Sequence, residues 1–143
     1  MRKTIPCLLL VISCVLFGTT WAQEVASTPQ PGSAERKAIL RALRVPVQKE
    51  LKRQTLFKVG HLKVQNGWAF LRGVPQQPNG KPMNYTGTPY QEAIKLGVFD
   101  DWICALLHKQ RGKWQVVTYV IGATDVAYDG WDKQHQAPAS IFK

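Results

Sequence analysis

Cysteine is scarce in this chain. Three occur, Cys7, Cys14 and Cys104, and the first two fall in an N-terminal stretch with the pattern of a cleaved leader. One remaining thiol excludes an internal disulfide framework, so stability has to come from a packed core. Acidic residues are also few, nine against 19 Lys and Arg. The three histidines are isolated, with no H-x-H or H-E-x-x-H spacing, and no D-x-D-x-D-G loop is present. Neither a zinc nor a calcium centre is therefore expected. No cofactor motif appears. Long apolar runs are missing as well. The longest, Ile5 to Phe17, is interrupted by Pro6 and falls short of the about 20 residues a spanning helix needs.

That run has a different meaning. Arg2 and Lys3 precede it, and Gly18-Thr19-Thr20-Trp21-Ala22 follows it. A charged start, an apolar middle and small residues at −3 and −1 define a signal peptide over 1–22, cleaved after Ala22. Val11-Ile12-Ser13-Cys14 offers an alternative, a lipoprotein site at Cys14, but the apolar stretch continues past it. The expected location is the bacterial periplasm or the exterior. Arg2 and Lys3 leave with the leader, so 17 basic residues face nine acidic ones, a net charge of +8. No nucleic-acid motif accompanies this charge, and an exported chain does not meet nucleic acid in the cell. The expected partners are a periplasmic protein or an anionic envelope component.

Residues 23–32 are polar and proline-containing and read as a flexible lead. A single domain over 33–143 follows. Ser33 caps a helix on which Ile39, Leu43, Val47 and Leu51 recur every four residues, a core-facing stripe. Pro46 predicts a kink or a break. Beside the stripe lie Lys37, Arg41, Arg44 and Lys52, either a solvated margin or a binding face.

The apolar period then changes to two. Thr55 to Val64 and Trp68 to Val74 form a hairpin around Asn66-Gly67. The phase switch at Gly60-His61 predicts a β-bulge. A long Pro/Gly/Asn loop spans 74–88. Thr88-Pro89-Tyr90-Gln91 predicts a capped helix to Leu96, stopped by Gly97. Trp102 to Lys109 and Lys113 to Ile121 form a second hairpin, both strands apolar on each phase and expected to be covered on both faces. A last helix is expected from Asp125 to about Gln134, with Asp125, Asp129 and Asp132 along one face. Ile141 and Phe142 are expected to pack back onto the body. The fold class is α+β, order α-β-β-α-β-β-α, with the first helix on a four-stranded antiparallel sheet.

Four segments, E-R-K-A-I-L-R-A-L-R at 35–44, N-G-W-A-F at 66–70, C-A-L-L-H-K-Q-R-G-K-W-Q-V-V at 104–117 and I-G-A-T-D-V-A at 121–127, resemble a group of small uncharacterised secreted bacterial domains. The G-K-W-Q-V-V strand is also similar to strands of cystatin-like and NTF2-like folds. The resemblance implies a helix packed into a curved sheet and implies no activity.

Three functions follow as expectations. The first is a non-enzymatic binding module for a protein, envelope or small-molecule ligand, with Lys37, Arg41, Arg44, Tyr85 and Tyr90 as contacts. The second is a small hydrolase or isomerase with His61, His108 or Asp101 as general base. Cys104 and His108 are too far apart along a strand to form a nucleophile–base pair, about 13 Å. The third is a salt-sensitive homodimer joining the Lys37–Lys52 face to Asp125–Asp132.

Overall fold

The computed structural model describes residues 24–143. The signal peptide 1–22, its cleavage after Ala22 and the alternative lipid site at Cys14 lie outside the described residues. No helix among the described residues is long and apolar enough to cross a membrane.

Helix α1 spans Ala34–Leu51, and Ser33 Oγ accepts a hydrogen bond from the Arg36 N–H at 3.2 Å. It runs unbroken through Pro46. Losing one backbone hydrogen bond there is offset because the buried stripe, Ile39, Leu43, Val47 and Leu51, continues on both sides of the proline.

Strands β1 (Leu56–Gln65), β2 (Trp68–Gln76), β3 (Ile103–Gln110) and β4 (Lys113–Ile121) form an antiparallel sheet in sequence order. The first hairpin turns through Asn66 (φ 50°) and Gly67 (φ 74°), the second through Arg111 (φ 50°) and Gly112 (φ 76°). Paired left-handed residues match the twist of the flanking strands. The register of β1 on β2 slips between Val59 and His61, which is the bulge expected at Gly60. A second slip, at Leu106/Leu107, leaves Val117 of β4 unpaired.

The two strands of the second hairpin differ, contrary to expectation. β3 is central, with Ile103 to Leu107 all buried. β4 is an edge, and its Val117 is 40% exposed. The bulge at Val117 interrupts that edge as a template for pairing with another chain.

Side chains of β3 alternate between two cores. Ile103, Ala105 and Leu107 join the α1 stripe with Leu62, Val64, Ala69 and Leu71. Cys104 and Leu106 join Phe70 on the opposite face, beneath Trp131, Ala137 and Ile141. The opposite face is covered by short pieces: the turns that hold Ala127 and Tyr128, helix α3 (Trp131–His135) and a closing 3-10 turn, Ala139–Phe142, with Ala26 beside them. Phe70 anchors them, with Phe142 and Tyr128 at ring distances of 4.5 and 4.8 Å.

Three further expectations are corrected. Of the expected flexible lead 23–32, the described part, 24–32, is not simply loose, because Ser27 exchanges both backbone hydrogen bonds with Val64, at 2.9 and 2.8 Å, and Pro29 is buried. This segment adds a short bridge to the outer edge of β1. Helix α2 is shorter than expected, Gln91–Lys95. Thr88 Oγ1 donates to the Tyr85 carbonyl, and the Gln91 side chain accepts from the Gly87 N–H, so the reciprocal cap is not made. Finally, α3 starts only at Trp131, after Gly130 at φ 76°. Asp125 and Asp129 lie in the preceding turns, so the three aspartates do not share a helix face.

Candidate functional site

The residues singled out on α1 and the long loop do not converge. Lys37 and Arg41 are exposed, whereas Arg44 donates through Nε to the Thr55 carbonyl at 3.1 Å. Tyr85 is buried, and its hydroxyl donates to Asp101 Oδ1 at 2.6 Å. The hydroxyls of Tyr90 and Tyr119 both donate to the Glu50 carboxylate, one to each oxygen. Glu50 lies about 180° around α1 from Arg41, nine residues on at about 100° each. Tyr90 and Tyr119 therefore fasten the start of the segment Gln91–Lys95 and β4 to the far side of the helix. Burial, with the hydrogen bond to a carboxylate as a second cause, pushes all three phenols well above their ordinary ionisation range. A hollow of about 430 Å³ beside the loop includes Tyr85 in its wall, but its one charged lining residue, Lys95, is already paired with Glu92 at 2.7 Å.

The catalytic candidates are also separated. His108 stacks on Trp68 with ring centres 4.1 Å apart. Asp101 precedes β3 and His108 is near its other end, about 23 Å away along an extended strand. His61 pairs with Arg72, which pairs with Cys104, so Arg72 stands between the histidine and the thiol. Cys104 is fully buried, and desolvation pushes its thiol up to about 11. Among the described residues, no group of three or more His, Cys, Asp or Glu side chains is placed to hold a metal ion.

A different set of residues does converge. On the face away from α1, the closing turn reaches the bulge only at His61, through the Ile141 carbonyl. A groove of about 440 Å³ remains, lined by Lys58, His61, Arg72, Val74 and Trp102 among others. The bulge shapes it. A Cβ built on Gly73 would lie 2.6 Å from the Lys58 carbonyl oxygen and 3.3 Å from Val59 Cα. Only glycine lets β1 pass this close over β2.

The groove is rich in charge of one sign. Arg72 and Lys58 are cations, His61 is a third basic group, and no acidic residue lines it. Arg72 is half-buried. Its Nη1 donates to the Tyr128 hydroxyl at 3.1 Å and its guanidinium lies 5.6 Å over the Tyr128 ring. Its Nε–H is sealed from solvent and has no hydrogen-bond acceptor among the described residues. The remaining polar groups are held in place. His61 Nε2 is 2.7 Å from the Ile141 carbonyl, so that nitrogen carries the proton and donates. Trp102 Nε1 donates to the Ala123 carbonyl, which fixes the indole as a wall.

Of the groove residues, the sequence singles out only His61 and the bulge glycine. Arg72 carries a readable signal nonetheless: it shares the phase of Trp68 and Phe70 in an otherwise apolar strand, where a charge requires a reason. Lys58 and Trp102 carry none, because the pairing of β1 on β2 and of β2 on β3 brings them to Arg72.

Comparison with family models, with curated proteins and with solved structures finds no match to this chain.

Proposed function

We propose that this protein is an exported, non-enzymatic binding module that takes a small ligand in the groove at the β-bulge. The observation that carries the reading is the groove itself. It joins an apolar wall, Trp102 and Val74, to a fixed guanidinium, Arg72, that has no acidic partner. Concave apolar sites with a few well-placed polar groups are the usual form of small-molecule sites. Export rests on the leader pattern at 1–22, and a periplasmic setting fits both that pattern and the resemblance to small secreted bacterial domains. An anionic envelope component fits the basic lining. Catalysis has less support, since neither His61 nor His108 has a carboxylate within hydrogen-bond reach to orient it.

The test is a small-molecule screen on residues 23–143, read by two-dimensional amide NMR. The expected result is a set of ligands that shift Gly60, Gly73 and the Trp102 indole N–H and that lose affinity in Trp102→Ala. Ligands that shift only the α1 surface or the long loop would overturn the assignment of the groove.

A further inference from the structure

We infer that the groove selects an organic anion with an apolar body: a small acid whose head group meets Arg72 and whose body lies against Trp102 and Val74. This rests on the groove being the ligand site and adds the chemistry of what enters it.

The charge balance comes first. Several acids have partners elsewhere: Glu50 with two tyrosines, Asp101 with Tyr85, Glu35 with Lys109, Glu92 with Lys95 and Glu24 with the Asn66 N–H. None of the nine lines the groove. The surroundings of Arg72 withdraw part of its guanidinium's hydration. A neutral apolar ligand would dehydrate the guanidinium further with nothing in return. An anion supplies the missing charge and accepts from the guanidinium edge.

Geometry then selects against a bare inorganic ion. Arg72 is held over Tyr128, and His61 and Trp102 are each pinned by a backbone carbonyl. The result is a rigid corner, basic on one side and apolar on the other, so little ordering is needed on binding. An inorganic ion would use the basic side alone and leave the indole wall wet. The volume, about 440 Å³, lies within the range of about 300–1,000 Å³ common for small-ligand sites.

The experiment compares acids with their alcohols on residues 23–143 in 150 mM salt (about physiological screening). The probes are indole-3-acetate against indole-3-ethanol, octanoate against octanol, and inorganic phosphate. Amide NMR locates binding and calorimetry measures it. The expected result is binding of at least one acid at Gly60, Gly73 and the Trp102 indole. Its alcohol should bind about ten-fold more weakly or worse, as loss of a charged hydrogen bond dictates, and phosphate should bind more weakly than the acid. Arg72→Gln should abolish the preference for acid. Lys58→Gln, a change at an exposed side chain, should reduce it and serves if the Arg72 variant fails to fold. Lys37→Gln should leave it intact. Alcohols binding in the groove as well as acids would overturn the anion inference while leaving the groove as a ligand site. Phosphate binding as tightly as the acids would overturn the apolar body. Acids that shift the α1 surface instead, or no groove shift with any probe, would overturn both this inference and the reading beneath it.

Discussion

The two faces of the sheet are built from the same four strands and are put to different use. On one, a single 18-residue helix lays four aliphatic side chains across the strands, and the core it closes contains no buried charge among the described residues. On the other, a five-residue helix, a four-residue turn and the turn that carries Tyr128 cover only the part centred on Phe70. Beyond them, a charged side chain stands on the apolar phase of β2, and the strand beside it carries a bulge. Regular elements with a continuous stripe give stability. Short pieces hung on one aromatic residue give partial cover, and partial cover leaves a groove. The contrast teaches that the length of the covering element decides which face can be a site.

The largest effect expected is on the closed face. Leu43 is fully buried, and Leu43→Ala should lower unfolding free energy by about 2–5 kcal/mol in chemical denaturation. A loss below about 1 kcal/mol would mean that α1 is loosely docked and the contrast is false. Next is the hinge of the open face. Gly73→Ala places a methyl group 2.6 Å from the Lys58 carbonyl, and backbone must move. The expected cost is about 1–3 kcal/mol, with amide shifts concentrated at Gly60 and His61. A neutral substitution would show that the bulge is not held by this close passage.

The tyrosines refine the comparison, since they brace the helix side. Tyr119→Phe removes one of two phenol bonds to Glu50 and should cost about 1–2 kcal/mol, the low end for a bond to a charged group because the site is only half-buried. The same phenols dictate an alkaline limit. Their ionisation is raised in the folded state, so the folded form binds these protons more tightly. The stabilisation is therefore complete below about pH 10, where unfolded tyrosines are still protonated, and is lost as pH rises above it. Phenolate absorbance in an alkaline titration should therefore appear together with unfolding; early ionisation of these phenols in the folded chain would contradict the bracing role. The smallest effect is at Cys104. With its thiol pushed up to about 11 by burial, thiol reagents at pH 8 should react only at the rate of unfolding. Rapid labelling would mean that the open face is breached beneath Arg72.

Much of the fold was legible in the sequence, and the reasons are local. The four-residue stripe of Ile39, Leu43, Val47 and Leu51 specifies α1, and Asn66-Gly67 specifies the first hairpin. The phase slip at Gly60-His61 marks the bulge. Each is a short-range signal with one physical reading. The extent of α3 was less legible, because the spacing of Asp125, Asp129 and Asp132 fits a helix as well as it fits turns; Gly130 decides it. The edge position of β4 depends on strand order, which its own apolar residues do not encode. The candidate site was least legible. Tyr85 sits in a loop of the kind that often carries function and Tyr90 follows it, yet their hydroxyls are taken up by Asp101 and Glu50. The groove joins residues from β1, β2 and the approach to β3, and no window of sequence contains them together.

If the groove holds a ligand, Arg72 serves that ligand rather than the fold. The most direct measurement is the thermal and chemical unfolding of Arg72→Met beside the unaltered chain. A half-buried guanidinium with a sealed Nε and no acidic partner burdens the folded state, and methionine keeps the packing without the charge. The expected result is a variant as stable as the parent or more stable. A loss of about 2 kcal/mol or more would contradict it, because Arg72 would then be a structural brace acting through Tyr128.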